Sequence, residues 1–534
     1  GLVCTIDEDS TDPDGDPITY TFDWDVDGES YTDTATTTHT GDTVPADMLS
    51  GDEVWTCEIT PDDGGSIGES AIASATIEYT VSWDSEERLT AAPHLFYGER
   101  FDGDSGYSGG VGNALGSAGD IDGDGLGDLF IGAPYFNRPG ASWSGVTYVL
   151  LGRSLEPTGA ISLAAADYRI MGDIVNGASG RRVASAGDVD GDGLPDLLIG
   201  EPGNSETGLR AGAAHLLLAA SLGETADIEL RSANFHFAGA LTEDRAGISV
   251  AGAGDMDGDG LADLIIGADQ VGASGRSGTA HVMLASHLMD ASTDTLSLSA
   301  SSYVLEGHDS SMYGAGVASA GDVDGDGLAD IMISAIEGST LVPGDSLSET
   351  RVLDLDDEGY FLDAVGYDYA GLRSAGAGDI DGDGLDDMIV GSSSDGGVAY
   401  VLMASSLGDT RVIDMEATAY ALMGDSEDDW VGTSVAGAGD VDMDGLADVL
   451  VGAPMRDGEA GAAYLVLGAN FSSVSGLDMS APDYTFVGED TERAGWTLAS
   501  AGDVNGDGQP EILIGASQGT FAGMFGGNVY LLTP

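Results

Sequence analysis

Seven near-copies of one acidic motif limit what this chain can become. The pattern D-x-D-x-D-G-x-x-D first runs from Asp120 to Asp128. It returns from Asp188, Asp255, Asp322, Asp379, Asp440 and Asp503, at spacings of 68, 67, 67, 57, 61 and 63 residues. A period of this length marks one supersecondary unit used repeatedly. Each unit buries its apolar surface against its neighbours and not alone.

The second unit shows the reading. Gly180-Arg-Arg-Val-Ala-Ser-Ala-Gly187 leads into the acidic loop at Asp188. Then come Leu197-Leu-Ile-Gly200, Gly212-Ala-Ala-His-Leu-Leu-Leu218 and Asn234-Phe-His-Phe-Ala-Gly239. These short apolar runs, bounded by Gly, Pro or Asp, have the length and punctuation of strands. The other units keep the order, as in Leu129-Phe-Ile-Gly-Ala-Pro134 and Val449-Leu-Val-Gly-Ala-Pro454. In the fourth unit, Gly338-Ser-Thr-Leu-Val342 is a degenerate stand-in for the third strand. Four strands in each of seven units predict an all-β fold, a seven-bladed β-propeller. A closed ring also removes exposed sheet edges. The chain stops after a third strand, and an orphan fourth-strand segment, His94-Leu-Phe-Tyr-Gly98, precedes the first full unit. It is expected to complete the last blade.

The string Val183-Ala-Ser-Ala-Gly-Asp-Val-Asp-Gly-Asp-Gly-Leu-Pro-Asp-Leu-Leu-Ile-Gly200 resembles an FG-GAP repeat. Such repeats build the propeller of integrin α subunits and of many bacterial surface proteins. The resemblance covers about residues 94–534. The aromatic-Gly pair that names the family is loose here: Tyr313-Gly314 comes near it, and Ala-Gly often stands in that slot.

The loop chemistry points to calcium, which takes six to eight hard oxygen ligands in flexible geometry. Asp at positions 1, 3 and 5 places three short carboxylates on one side of a tight loop, and Gly at position 6 allows the sharp turn. Position 7 offers a carbonyl, and position 9 a further, bidentate-capable acid. Four like charges in nine residues repel without a cation; the alternative is a solvated acidic turn. The resemblance implies one Ca²⁺ per blade, up to seven. Carried over by position, the ligands are Asp120, Asp122, Asp124 and Asp128; Asp188, Asp190, Asp192 and Asp196; and Asp255, Asp257, Asp259 and Asp263. Next come Asp322, Asp324, Asp326 and Asp330; Asp379, Asp381, Asp383 and Asp387; and Asp440, Asp442, Asp444 and Asp448, with Met443 as a spacer. The seventh set is Asp503, Asn505, Asp507 and Glu511. It has one charge fewer and a longer closing acid, so it is expected to bind most weakly.

Residues 1–84 lack the repeat. Phe22, Trp24 and Val26 alternate with acids, as in a half-buried strand. The order Cys4, Trp24, Cys57 resembles an immunoglobulin-like sandwich, with cadherin-like modules a related match. That resemblance implies a Cys4–Cys57 disulfide and an oxidising compartment, against the alternative of two buried thiols. Asp12, Asp14 and Asp16 are either a further calcium site or a polar turn. If Cys4 lies on a second strand, a first strand is missing: the chain is cut from a longer protein, or another subunit supplies the strand. The expected division is an Ig-like module at 1–84, a linker at 85–93 and the propeller at 94–534.

Composition narrows the function. Formal net charge is −77, and all 16 basic residues are Arg. Such a chain repels nucleic acid and anionic lipid and gathers cations. Hydrophobic content of 42% argues against disorder, and no apolar run is long enough to span a membrane. Gly106-Tyr-Ser-Gly-Gly110 matches a nucleophile motif by letters but lies in a Gly-rich loop and not at a strand-to-helix elbow. His215 and His281 occupy a slot filled elsewhere by Tyr148, Tyr400, Tyr464 and Tyr530, and read as scaffold. The expectation is a non-enzymatic, calcium-binding, extracellular or cell-surface module that adheres to a protein or glycan ligand. The runner-up is a structural subunit of a filament or surface layer, self-associating through the N-terminal module; a secreted hydrolase comes third. Ligand contacts are expected on the loops joining second to third and fourth to first strands. The integrin-like resemblance carries that choice of loops, and the exposed aromatics expected there are Tyr135, Phe136, Trp143, Trp430, Trp496, Phe521 and Phe525, with packing between blades an equal alternative for Trp430 and Trp496.

Overall fold

The computed structural model describes residues 2–3, 19–26, 29–31, 35–37, 41–44, 54–62, 71–76, 83, 85–98, 110–155, 158–223, 225–269, 278–307, 312–336, 338–347, 351–355, 359–363, 370–392, 397–408, 410–424, 426, 428–472, 477–478, 482–519 and 526–534. Two compact units divide the chain. The first holds Gly1–Ser82 with Asp442–Gly445 and Asp507–Gln509, and the second holds the rest.

In the larger unit seven sheets form the blades of a seven-bladed β-propeller. Blade 2 is representative. Val183–Gly187, Asp196–Glu201, Ala213–Leu217 and Phe235–Ala238 run antiparallel in that order. These are the four segments expected from the sequence. The second strand is buried at every position, as is Asp128–Ala133 in blade 1. Each blade is covered on both faces, so its middle strands read as unbroken apolar runs and do not alternate. The core lies between blades: one cluster joins Leu129, Ile131 and Tyr148 of blade 1 to Phe96, Leu513 and Val529 of blade 7.

First strands are built from Ala, Gly and Ser, as in Ala114–Gly119, and successive ones adjoin around the ring. Each pairing with the second strand slips by one residue just before the acidic loop, for example between Ser117 and Gly119 and between Ser500 and Gly502. The slip is a bulge that needs a left-handed residue. Gly119, Gly187, Gly254, Gly321, Gly378, Gly439 and Gly502 supply it, with φ of 70–82°. Hence Gly precedes the first Asp in all seven copies.

His94–Tyr97 pairs antiparallel with the last strand, Asn528–Leu532, through Phe96 opposite Val529. The orphan segment therefore completes blade 7 as expected. Two features differ from the sequence reading. Each sheet has five strands, not four. The fifth is a short parallel strand from the following unit: Asp227–Glu229 of blade 2 pairs with Tyr168–Met171 of blade 1. Blade 6 takes its fifth strand from Glu86–Arg88, inside the stretch expected to be linker. The fourth unit is also complete, because Gly338–Val342 is a buried five-residue strand paired on both sides. Its small and polar residues suit a strand enclosed by neighbours, where backbone pairing matters more than side-chain bulk.

In the smaller unit, Glu29–Tyr31, Thr19–Val26, Val54–Asp62 and Ala71–Thr76 form an antiparallel sheet in that order. Leu2–Val3, Gly41–Val44 and Ala35–Thr37 form another. Trp24 stands opposite Cys57 and meets Trp55 edge-on at 6.2 Å; all three are buried. Cys4, Asp12, Asp14 and Asp16 lie outside the described residues, as do residues 106–109, Phe521 and Phe525. Among the described residues no helix is long and apolar enough to cross a membrane.

Candidate metal centres

Every expected metal-site residue falls on the loop from first to second strand of its blade or on the first residue of the second strand. The loop folds through its own carboxylates. In blade 2, Asp188 Oδ1 accepts from the N–H groups of Gly191 and Asp192 at 2.7 and 3.0 Å, and Oδ2 from Gly193 at 2.8 Å. Asp190 accepts from Asp192, and Asp192 from Leu194. The same set recurs from Asp255, Asp322 and Asp379. Asp120 keeps two of its three bonds, from Asp124 and Gly125. The glycine at position 6 has φ of 87–94° in all seven loops, from Gly125 to Gly508, a value only Gly adopts freely.

Position 9 is a bracket between strands. Asp196 is fully buried; its Oδ2 accepts from Val189 at 3.0 Å and its Oδ1 from Ala219, just past the third strand, at 2.8 Å. Asp128, Asp263, Asp330, Asp387 and Asp448 repeat this arrangement. With Oδ1 turned to the third strand, only Oδ2 is committed to the loop, which bears on the bidentate role expected for this acid. Burial pushes the carboxyls up, to about 6 for Asp128, Asp330 and Asp387 and to about 7 for Asp196 and Asp263; the two backbone N–H bonds oppose the rise. Asp190, Asp257, Asp324 and Asp381 are raised by burial and then by the charge at position 5.

These carboxylates converge. Asp120, Asp122 and Asp128 bring oxygens within 4.8 Å of one another, as do Asp188, Asp190 and Asp196, and Asp322, Asp324 and Asp330. In blade 3 the cluster is Asp255, Asp257 and Asp259. Hard oxygen donors crowded at mutual repulsion fit a calcium ion, which would remove that repulsion. Two details escaped the sequence. Asp345, in the short 3₁₀ turn Gly344–Ser346, joins Asp324 and Asp326; it lies outside the nine-residue motif. Arg153 pairs with Asp122 and Asp124, placing an internal cation at the first loop. In the seventh loop Asn505 Nδ2 donates to Glu511 Oε1 at 2.6 Å, so this amide turns its nitrogen toward the closing acid. His215 and His281 are buried within blades, His215 against His236 and Glu201, in keeping with a scaffold role.

Five segments, residues 111–150, 179–217, 246–283, 431–466 and 494–532, match the FG-GAP repeat. In these five segments the molecule is similar to FG-GAP repeats. Blades 4 and 5 lie outside those segments but share the strands and the acidic loop. Integrin alpha pat-2 of Caenorhabditis briggsae is 31% identical over 229 residues, 39% of this chain and 18% of that protein. Phosphatidylinositol-glycan-specific phospholipase D of Bos taurus is 32% identical over 174 residues, 28% of this chain and 20% of that protein. Integrin alpha-IIb of Homo sapiens is 32% identical over 151 residues, 28% of this chain and 14% of that protein. The chain thus matches about a fifth or less of the length of each of these relatives. Repeats, blades and integrin α relatives together support an FG-GAP β-propeller of integrin α-like type.

Proposed function

We propose that this chain is an adhesion-type module, held rigid by calcium and working at a cell surface or outside the cell. The observation that carries it is the set of crowded carboxylate loops in an integrin α-like propeller. On this reading each blade holds one Ca²⁺ on its position 1, 3, 5 and 9 residues, with the Asn505 and Glu511 loop the weakest. Extracellular calcium modules bind at roughly 10⁻⁴–10⁻³ M. A site held at ~100 times its dissociation constant adds ~2.7 kcal/mol, so several loops would set the stability of the ring. Residues 1–84 would serve as an Ig-like module with a Cys4–Cys57 bridge; the support is the buried Trp24, Trp55 and Cys57 cluster and the absence of a free thiol at Cys57. The propeller on this reading begins at Glu86, where pairing with blade 6 starts. The partner is a protein or glycan. One relative carries an enzyme's name, and a binding role is preferred here because the buried His residues are engaged inside blades.

Thermal unfolding in about 2 mM Ca²⁺, then in excess chelator, tests the metal half of the proposal. A large fall on chelation, reversed by Ca²⁺ and not by Mg²⁺, is expected; an unchanged midpoint would discard the calcium loops. Beads coated with the protein test the adhesive half: they should hold cells in calcium and release them in chelator.

A further inference from the structure

The chain carries a formal net charge of −77, yet one cleft gathers arginines. It has a volume of about 560 Å³ and opens among the loops that join second to third and fourth to first strands of blades 1 and 2. Its walls include Trp143, Val175, Arg181, Leu209, Arg210 and Arg245. Trp143, Val175 and Leu209 are each more than half exposed.

The arginines are short of partners. Arg245 shares the buried Asp269 at 3.3 Å. Arg181 donates to the Tyr135 hydroxyl at 2.6 Å, and Tyr135 meets Trp143 edge-on at 6.0 Å. Arg181 also feels the charge of Asp269, whereas Arg210 makes no ion pair among the described residues, in a chain that holds 93 Asp and Glu.

The repeat supplies its own control. The backbone N–H of Arg245 donates to the carbonyl of Arg210 at 3.1 Å, and two blade junctions repeat that bond: Ala178 to Trp143 at 3.0 Å and Arg493 to Glu459 at 2.9 Å. Arg493 and Glu459 therefore occupy the places of Arg245 and Arg210. There the side chains close an ion pair, Nη2 to Oε2 at 2.9 Å. At the cleft the same frame holds two arginines: Arg245 pairs with Asp269, and Arg210, which stands where Glu459 stands, is left open to an anion from outside.

We propose that this cleft binds the side-chain carboxylate of an Asp or Glu on a partner protein, with an adjacent apolar residue against Val175 and Leu209. Guanidinium groups recognise carboxylates with paired, charge-assisted bonds. The aliphatic wall suits a peptide side chain better than the hydroxyls of a sugar. The proposal rests on the reading of the propeller as a binding module and names its partner's chemistry.

The test is an array of immobilised heptapeptides with a central Asp or Glu and varied apolar flanks, each beside its Asn or Gln version. The full chain is applied in calcium at low salt. Acidic members should retain it roughly tenfold better than the amides, and Arg210→Glu should abolish the difference. That substitution installs the pair seen at Glu459 and Arg493, so its melting temperature should hold or rise. Arg210→Gln should give an intermediate loss. Equal retention of acid and amide, or acid binding untouched by Arg210→Glu, overturns the proposal. A uronic-acid oligosaccharide that binds more tightly than any peptide, with the same sensitivity, overturns the peptide assignment. Calcium-dependent cell adhesion that survives Arg210→Glu would sink the cleft and leave the adhesion reading standing.

Discussion

The backbone N–H of Gly127 in the first acidic loop donates to the carbonyl of Asp503 in the seventh, at 2.6 Å. The same bond runs from Ala262 to Asp188, Ala329 to Asp255, Asp386 to Asp322 and Ala447 to Asp379. Position 8 of one loop is thus fastened to position 1 of the loop before it. Pro195 and Pro510 have no N–H to give; each packs its ring on the bulge glycine of the preceding blade, Gly119 and Gly439. Adjacent acidic loops are therefore mechanically linked, and on the proposed reading an ion held at one should steady its neighbours.

Ring closure should dominate stability. Phe96 is fully buried at the junction of blades 7 and 1. Phe96→Ala should cost about 3–5 kcal/mol, read as a lower denaturant midpoint in calcium. A shift no larger than that of a surface substitution would mean that the closing strand is dispensable.

Close blade contact depends on a glycine in the second strand. A Cβ at Gly200 would overlap the carbonyl oxygen of Gly247 in the next blade. Backbone cannot step aside as a side chain can, so Gly200→Ala should destabilise by roughly 1–3 kcal/mol. The slot holds Ser334 in blade 4, whose hydroxyl meets Ser374 at 2.8 Å; Ser334→Ala should be mild by comparison. The two midpoints, measured side by side, decide the point.

Met443 takes the loop position held by Gly in the other six copies, with φ of 61°. A side chain in that region costs about 1–2 kcal/mol. Met443→Gly should therefore raise the melting temperature or tighten calcium binding at the sixth loop. A loss on both measures would show that the side chain contributes something the backbone does not.

The acid limb of the stability profile should owe part of its slope to His281. Burial lowers its pKa from 6.5 to about 4. As pH falls, the unfolded chain takes the proton first, so this stabilisation is full above pH 6.5 and lost as pH falls through about 4. The total is at most roughly 3 kcal/mol. His281→Tyr, which installs the residue that blades 1, 5, 6 and 7 carry in this slot, should flatten the melting-temperature profile between pH 6.5 and 4. An unchanged profile would show that His281 does not titrate on unfolding.

Much of the propeller was legible because its signals are local and repeated. Seven Asp loops, unbroken runs such as Leu129-Phe-Ile and the orphan His94–Tyr97 segment gave the blades and their closure. The exchanged fifth strands were not legible: Asp227–Glu229 is too short to show a period, and its partner lies in another unit. Gly338–Val342 looked degenerate because composition says little where both faces are covered. Phe136, expected among exposed loop aromatics, is buried in the core between blades 7 and 1; Trp143 is exposed as expected, and of the two alternatives left open for Trp430 the structure shows the exposed one. The arginine cleft was invisible because Arg181, Arg210 and Arg245 are spread over three loops and meet only when blades 1 and 2 stand side by side. The motif named carboxylates but not Asp345, which enters through a turn outside it.

The closing strand also sets an order of events during synthesis. His94–Tyr97 leaves the ribosome well before its partner Asn528–Leu532 is made. Until then His94–Tyr97 lacks its antiparallel partner, as Glu86–Arg88 lacks its own until Tyr484–Val487 of blade 6 is made. An open β edge persists throughout that interval. The dense negative charge then has a use before any ligand is met: like-charged nascent chains repel one another while each edge waits for its partner strand.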